Sequence, residues 1–458
     1  MATQTIEATN PATGETIATY QALTAEGVER ALGRSAEAFA GWRRRPLSER
    51  TERLAACAGV LEERKSAYAE LMAREMGKPL REGRSEIEKC AWVCRHYAER
   101  AGSLFAAQPV ETDASNSFVA FEPLGPVLAV MPWNFPFWQV FRFIAPHLTA
   151  GNTGLLKHAS NVPGCALAIE DVLLSAGYPV GVFQALLIGS DQVAELIADE
   201  RVRAATLTGS TPAGRAVAKQ AGEHLKKTVL ELGGSDPYVI LDDADLELAV
   251  DQCVTSRLIN GGQSCIAAKR FIVTPEISSE FERRLVEAMR GKSFGDPLDE
   301  STDIGPMARR ELRDELHEQV TASIAAGARC PLGGELPEGP GAFYPPTVLA
   351  GVQPGMPAYE QELFGPVAAI VSAENADHAI RIANDSSFGL GAAVFTRDLE
   401  RGAEIAARRL EAGNCFVNAF VRSDPRLPFG GIKESGYGRE LGAFGAYEFV
   451  NIKTVYVA

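Results

Sequence analysis

Val127-Leu128-Ala129-Val130-Met131-Pro132-Trp133-Asn134-Phe135-Pro136 is the stretch from which the fold is read. A continuous apolar run, closed by a proline that cannot extend a hydrogen-bonded ladder, reads as a strand buried on both faces. Outward from it the same texture returns at regular intervals. Strand-like runs over 154–157, 183–188, 203–207 and 228–232 alternate with helical patterns over 162–175, 190–198 and 212–225. Such alternation predicts a parallel α/β sheet with helices on both faces.

After Gly233-Gly234 the alternation begins afresh, with strands over 238–241, 367–371, 391–395 and 415–418. Helices are expected over 245–259, 277–289, 309–325, 376–383 and 398–410, so a second α/β domain follows a boundary near residue 232. Residues 24–105 read as helices, chiefly 25–43 and 48–76, with many Glu/Arg pairs. A short alternating segment over 118–121 suits an edge or protruding strand. The β-prone tail over 448–457 suits pairing with another chain.

The length, 458 residues, predicts two or three domains, and 46% hydrophobic with 23% charged residues is the composition of a globular protein. A formal net charge of −14 speaks against nucleic acid or an anionic membrane as main partner. The opening residues carry no basic segment followed by an apolar one, so no secretory signal is expected, and no apolar run has the length of a membrane span. Eight scattered cysteines fit reduced cytoplasmic thiols, and the six histidines form no ligand-spaced cluster, so no metal is expected.

Six places carry residues suited to chemistry, each with a plainer alternative. In Asn260-Gly261-Gly262-Gln263-Ser264-Cys265, glycines before a cysteine let the thiol sit on a tight turn amid free N–H groups; the alternative is an inert buried cysteine. Gly209-Ser210 follows a strand and opens a helix, which is either a phosphate-binding helix start or an ordinary turn. Lys157 ends a strand at the edge where nucleotides bind in open sheets, or is a solvated lysine. Glu231 at a strand end suits a desolvated general base, or caps the next turn. Asn134, between prolines, is an oxyanion donor or a turn former, and Glu362-Leu363-Phe364-Gly365-Pro366 is a ribose and ring contact or a loop anchor.

The order and spacing of these motifs together are more specific than any one of them. Together with Pro428-Phe429-Gly430-Gly431 and the opening Glu7-Ala8-Thr9-Asn10-Pro11, they resemble the aldehyde dehydrogenase superfamily over essentially the whole chain. The resemblance implies a Rossmann-type nucleotide-binding domain over 1–231, with protruding strands at about 112–126. It implies an α/β catalytic domain over 232–425, and a return segment with a small β oligomerisation element over 426–458. It further implies a homodimer or homotetramer.

By that resemblance Cys265 attacks the aldehyde and Asn134 holds the oxyanion with the Cys265 backbone N–H. Glu231 activates the water that releases the acid, whereas members that pass the acyl group to coenzyme A lack this glutamate. Trp133, Lys157, Ser160, Gly209, Ser210, Glu362 and Phe364 are implied to hold a nicotinamide dinucleotide. Ser160 stands where relatives that prefer NAD have glutamate, which points to NADP as preferred cofactor, with NAD accepted. Within the superfamily the chain is most similar to succinate-semialdehyde dehydrogenases of a shorter bacterial branch, through Leu-Leu-Lys-His-Ala, Glu-Leu-Gly-Gly-Ser-Asp-Pro and Ala-Ala-Lys-Arg-Phe-Ile. This implies that Arg142 and Ser423 hold a substrate carboxylate. Well-known members carry a second arginine where this chain has Ile259, and Arg257 and Arg422 are the candidate substitutes. A broad aldehyde dehydrogenase for medium-chain or aromatic aldehydes is the alternative, favoured by Phe135, Phe137, Trp138 and Phe141.

Overall fold

The structure, a computed structural model, describes residues 5–458; residues 1–4, part of the opening read for a secretory signal, lie outside the described residues. Pro126–Met131 is a central strand of a six-stranded sheet. Its order is Gly436–Tyr437, Lys227–Glu231, Ala204–Thr208, Pro126–Met131, Thr153–His158, Phe183–Ala185. All neighbours are parallel except the antiparallel Gly436–Tyr437. Alternate residues of these strands enter two different cores. Leu128, Leu155, Leu207 and Leu230 pack with Leu32 and Val217, while Val127, Ala129, Leu156 and Val229 pack with Phe141, Ile144 and Ile169. A strand that buries both pleat faces needs apolar residues throughout, which is why the runs are continuous. Each fully buried Leu or Val contributes about 1.5–3 kcal/mol.

In chain order the strands of this parallel sheet run 5-4-1-2-3, counting from Lys227–Glu231 across to Phe183–Ala185. The direction of winding therefore reverses between Pro126–Met131 and Ala204–Thr208, and the crevice beyond the carboxyl ends of these two strands is where such sheets take ligands. Trp133-Asn134 and Gly209-Ser210 follow those two strand ends.

A second, seven-stranded sheet runs Arg329–Leu332, Thr347–Ala350, Val367–Ser372, Arg270–Val273, Pro237–Ile240, Gly391–Phe395, Asn414–Val417. It is parallel apart from its first pair. Only Leu232 to Asp236 separate the carboxyl end of Lys227–Glu231 from the amino end of Pro237–Ile240. The two sheets therefore meet edge to edge, the carboxyl edge of one against the amino edge of the other.

Several expectations are corrected. The helical pattern over 48–76 is two helices, Leu47–Glu63 and Lys65–Met76, broken at Arg64 (φ −101°, ψ 12°), whose guanidinium pairs with Asp171. A separate helix, Leu80–Leu104, follows a reversal at Gly77. Gly77 has φ +80°, and a Cβ there would come within 2.7 Å of Pro306. Trp138–Ala150 is a helix absent from the sequence expectation; every residue of it is buried, and Pro146 inside it reads as a helix breaker. The tail strand Val450–Val457 pairs antiparallel with Asn116–Pro123 of its own chain, Val450 opposite Pro123 through Val457 opposite Asn116. It lies at the edge of its three-stranded sheet, and its second edge has no partner strand among the described residues. No described helix is long and apolar enough to cross a membrane.

Candidate active site

The cysteine loop is built on a run of left-handed backbone. Asn260, Gly261 and Gly262 have φ of +54°, +61° and +76°. At Gly262 a Cβ would lie 2.2 Å from the Gly365 carbonyl oxygen, so only glycine lets the loop pack on the Glu362–Pro366 turn. Asn260 tolerates the left-handed region and spends its amide on the carbonyls of Asn134 (2.8 Å) and Gln263 (3.0 Å). Asn134 Nδ2 in turn donates to the Gln263 carbonyl at 3.1 Å, leaving its second amide hydrogen unspent. The Cys265 backbone N–H takes no acceptor among the described residues. Two donors thus come from two loops that hydrogen bonds tie together, as an oxyanion site requires.

Lys269, fully buried, ties this loop from behind. Its Nζ donates to the carbonyls of Ser264 (2.9 Å) and Cys265 (2.7 Å) and pairs with Glu362 at 3.2 Å. Neither Lys269 nor Asn260 was singled out in the sequence. Arg257 is also fully buried and donates to the Gly262 carbonyl at 2.6 Å, so it braces the turn instead of replacing the missing arginine of the substrate site.

Burial pushes the Cys265 thiol up to about 12; Arg142 and Lys269 pull it back, while Glu362 and Asp236 add to the rise. Burial thus favours the protonated thiol at rest. Glu231, 2% exposed at the end of its strand, has both carboxylate oxygens without a partner. Burial, and after it the neighbouring Glu440, hold its carboxyl well above the ordinary range, as a group that must accept a proton near neutrality needs. Glu440 lacked any local signal in the sequence; it pairs with Arg142, which also donates to Thr208 Oγ1 at 3.1 Å.

Cys265, Ser264, Arg142, Ser423 and Arg422 line one chamber of about 170 Å³, whose other walls include Phe135, Trp138, Phe429 and Ile259. With one water occupying about 30 Å³, the space suits a small molecule. The expected cofactor residues lie toward the carboxyl edge of the six-stranded sheet. Gly209 donates its N–H to the Glu231 carbonyl at 3.0 Å, and Ser210 starts the Thr211–Glu223 helix without capping it, so the helix N-terminus is left open. Lys157 is 8% exposed and has no hydrogen-bond acceptor among the described residues; burial lowers the pKa of its ammonium, opposed by Asp191. Ser160 lines a broad cleft of about 840 Å³ with Asn161, Gly189 and Arg309. Trp133 and Phe364 meet edge to face at 5.7 Å, and Glu362 accepts the Gly234 N–H at 3.1 Å. No group of three or more His, Cys, Asp and Glu among the described residues is arranged to hold a metal ion.

Comparison with known proteins gives the chain its relatives. The chain is 52% identical over 449 residues to a probable succinate-semialdehyde dehydrogenase (NADP+) of Synechocystis sp., covering 98% of this chain and 99% of that one. It is 49% identical over 447 residues to a succinate semialdehyde dehydrogenase (NAD(P)+) of Escherichia coli, covering 98% and 96%. A crystal structure of succinic semialdehyde dehydrogenase from Streptococcus pyogenes with NADP+ superposes with a TM-score of 0.96 at 39% identity, over 99% of each chain. Residues 1–455 match the Aldehyde dehydrogenase family, and the chain belongs to that family.

Proposed function

We propose that this enzyme oxidises succinic semialdehyde to succinate with NADP, and accepts NAD less well. The observation that carries the reading is the single chamber in which Cys265 shares walls with Ser423 and cationic side chains. Close relatives named as succinate-semialdehyde dehydrogenases support it. The open helix start after Ser210, the unpartnered Lys157 and the neutral Ser160 fit a dinucleotide with an extra phosphate. When bound, that cofactor supplies the hydride acceptor.

The chain's own residues do the rest. Cys265 Sγ bonds to the carbonyl carbon once its proton has left, and the oxygen that gains charge is met by the Asn134 amide and the Cys265 N–H. Release of the acyl group as acid falls to Glu231, which takes a proton from the attacking water. Ser423 holds the distal carboxylate, with Arg142 adding its field although Glu440 shares its charge. The free edge of Val450–Val457, where Ile452 and Tyr456 are exposed, is the surface through which we place a homo-oligomer, and the eight free thiols fit the cytoplasm.

Absorbance of reduced nicotinamide, read with succinic semialdehyde, butanal and benzaldehyde and with both cofactors, tests the reading. The highest kcat/KM is expected with succinic semialdehyde and NADP. An equal or higher value with butanal or benzaldehyde would sink it in favour of a broad aldehyde dehydrogenase.

A further inference from the structure

The cations around the chamber are not equivalent. Lys78 is paired with Glu86, which also accepts the Phe137 and Trp138 N–H groups at 2.9 Å each. Arg142 is paired with Glu440, and Lys269 with Glu362. Glu82, the remaining acid on this wall, accepts the Asn260 N–H at 2.8 Å, and burial lifts its carboxyl to about 7. Lys89 alone on the wall formed by the Leu80–Leu104 helix has no carboxylate partner among the described residues. Its Nζ donates to Ser423 Oγ at 2.8 Å and lies 4.3 Å from the centre of the Trp138 ring. Ser423 is 6% exposed, and both residues line the chamber that holds Cys265.

A positive charge enclosed in an apolar wall is costly unless a counter-charge joins it. Trp138 recovers a small part through its ring face, and Ser423 recovers another part through its lone pair. Arg422, the other cation of the chamber without a carboxylate partner among the described residues, is exposed to water and needs none, and the remaining cations are paired, so the counter-charge for Lys89 must come from what enters the chamber. Ile259, on the same chamber, offers no charge. Arg142 cannot serve equally, because its charge is already met by Glu440 and one of its nitrogens by Thr208.

We propose that Lys89, with Ser423 as its hydrogen-bonding companion, is the specificity-determining anchor for the carboxylate of the aldehyde substrate, and that Arg142 is a positioning residue for Glu440. The inference deepens the substrate reading given above and rests on it for the choice of succinic semialdehyde. Burial, and after it Arg142, lower the Lys89 ammonium to about 8, against the pull of Cys90, Glu86 and Asp424. A carboxylate bound at its Nζ restores the charge to full occupancy.

The test is the ratio of kcat/KM for succinic semialdehyde to that for butanal, its uncharged counterpart, together with the inhibition constant of succinate against butanal oxidation. Losing one charge-assisted contact lowers the ratio in Lys89→Met by about 10- to 100-fold and weakens succinate inhibition by a similar factor. Lys89→Arg keeps most of both. Ser423→Ala, which retains the cation, gives a smaller fall and serves if Lys89→Met does not fold. An unchanged ratio in Lys89→Met, or in Ser423→Ala should the first not fold, would overturn the assignment. Should the unaltered enzyme show no preference for the carboxylated aldehyde, the substrate reading fails instead, and succinate inhibition decides Lys89 alone. Weaker inhibition in Lys89→Met then upholds an anion site there, and equal or absent inhibition removes it.

Discussion

Cys265 should be a poor nucleophile in the resting enzyme, and the size of the effect follows from its surroundings. A thiol moved from 9.0 to about 12 has its thiolate fraction near neutral pH cut about a thousandfold. The thiolate that does form is more nucleophilic. With a Brønsted slope of about 0.4–0.5, some 16- to 32-fold is recovered, leaving Cys265 roughly 30- to 60-fold slower than an ordinary cysteine. The assay is reaction with an aromatic disulfide in the absence of cofactor, with the mixed disulfide at Cys265 quantified by peptide mass and a cysteine peptide as reference. Seven other free thiols make that localisation necessary, although five of them are buried. The sign is fixed by the protonation state: the rate should climb about tenfold per pH unit to about pH 10 without levelling. A plateau at or below about pH 8 would refute the reasoning. It would mean that Lys269, Arg142 and the loop N–H groups outweigh burial and hold a preformed thiolate.

Three further outcomes are expected. Glu231→Gln should release a burst of reduced cofactor close to one per site and then turn over about 10²- to 10⁴-fold more slowly, the range for loss of a general base; full steady-state turnover in pre-steady-state absorbance traces would remove Glu231 from that role. Ser160→Glu, measured as kcat/KM with each cofactor, should shift preference toward NAD by repelling a second phosphate, and an unchanged ratio would show that Ser160 does not face it. Lys269→Met strips the donor from two carbonyls and an ion-pair partner from Glu362, at about 1–3 kcal/mol for each buried group left unpaired. Its melting temperature should fall, and an unchanged value would mean that water takes the place of the ammonium.

Part of the site was legible because residue type itself carries the information. Continuous apolar runs ended by Pro132 and Gly209 mark strands buried on both faces, and residues at their carboxyl ends, Trp133, Asn134, Lys157, Ser210 and Glu231, gather at one sheet edge by topology alone. Gly261-Gly262 announces a backbone that other residues avoid, and the structure has Asn260, Gly261 and Gly262 in that region. The helix Trp138–Ala150 was not legible, because Pro146 within it reads as a breaker and only the packing around it on every side keeps it helical.

The amino-acid sequence by itself determined the α/β architecture, the loop that presents Cys265 and the sheet edge where we place the nucleotide, because each rests on local conformational preference or on the alternation of buried runs. Tertiary structure alone decided which charges cancel. Lys89 meets Ser423 across 334 positions, Arg142 is claimed by Glu440, and Arg257 lies behind the turn, outside the chamber wall. A side chain's charge is written in the chain, but its effect in a desolvated site depends on partners within a few ångströms, and no sequence spacing encodes that distance.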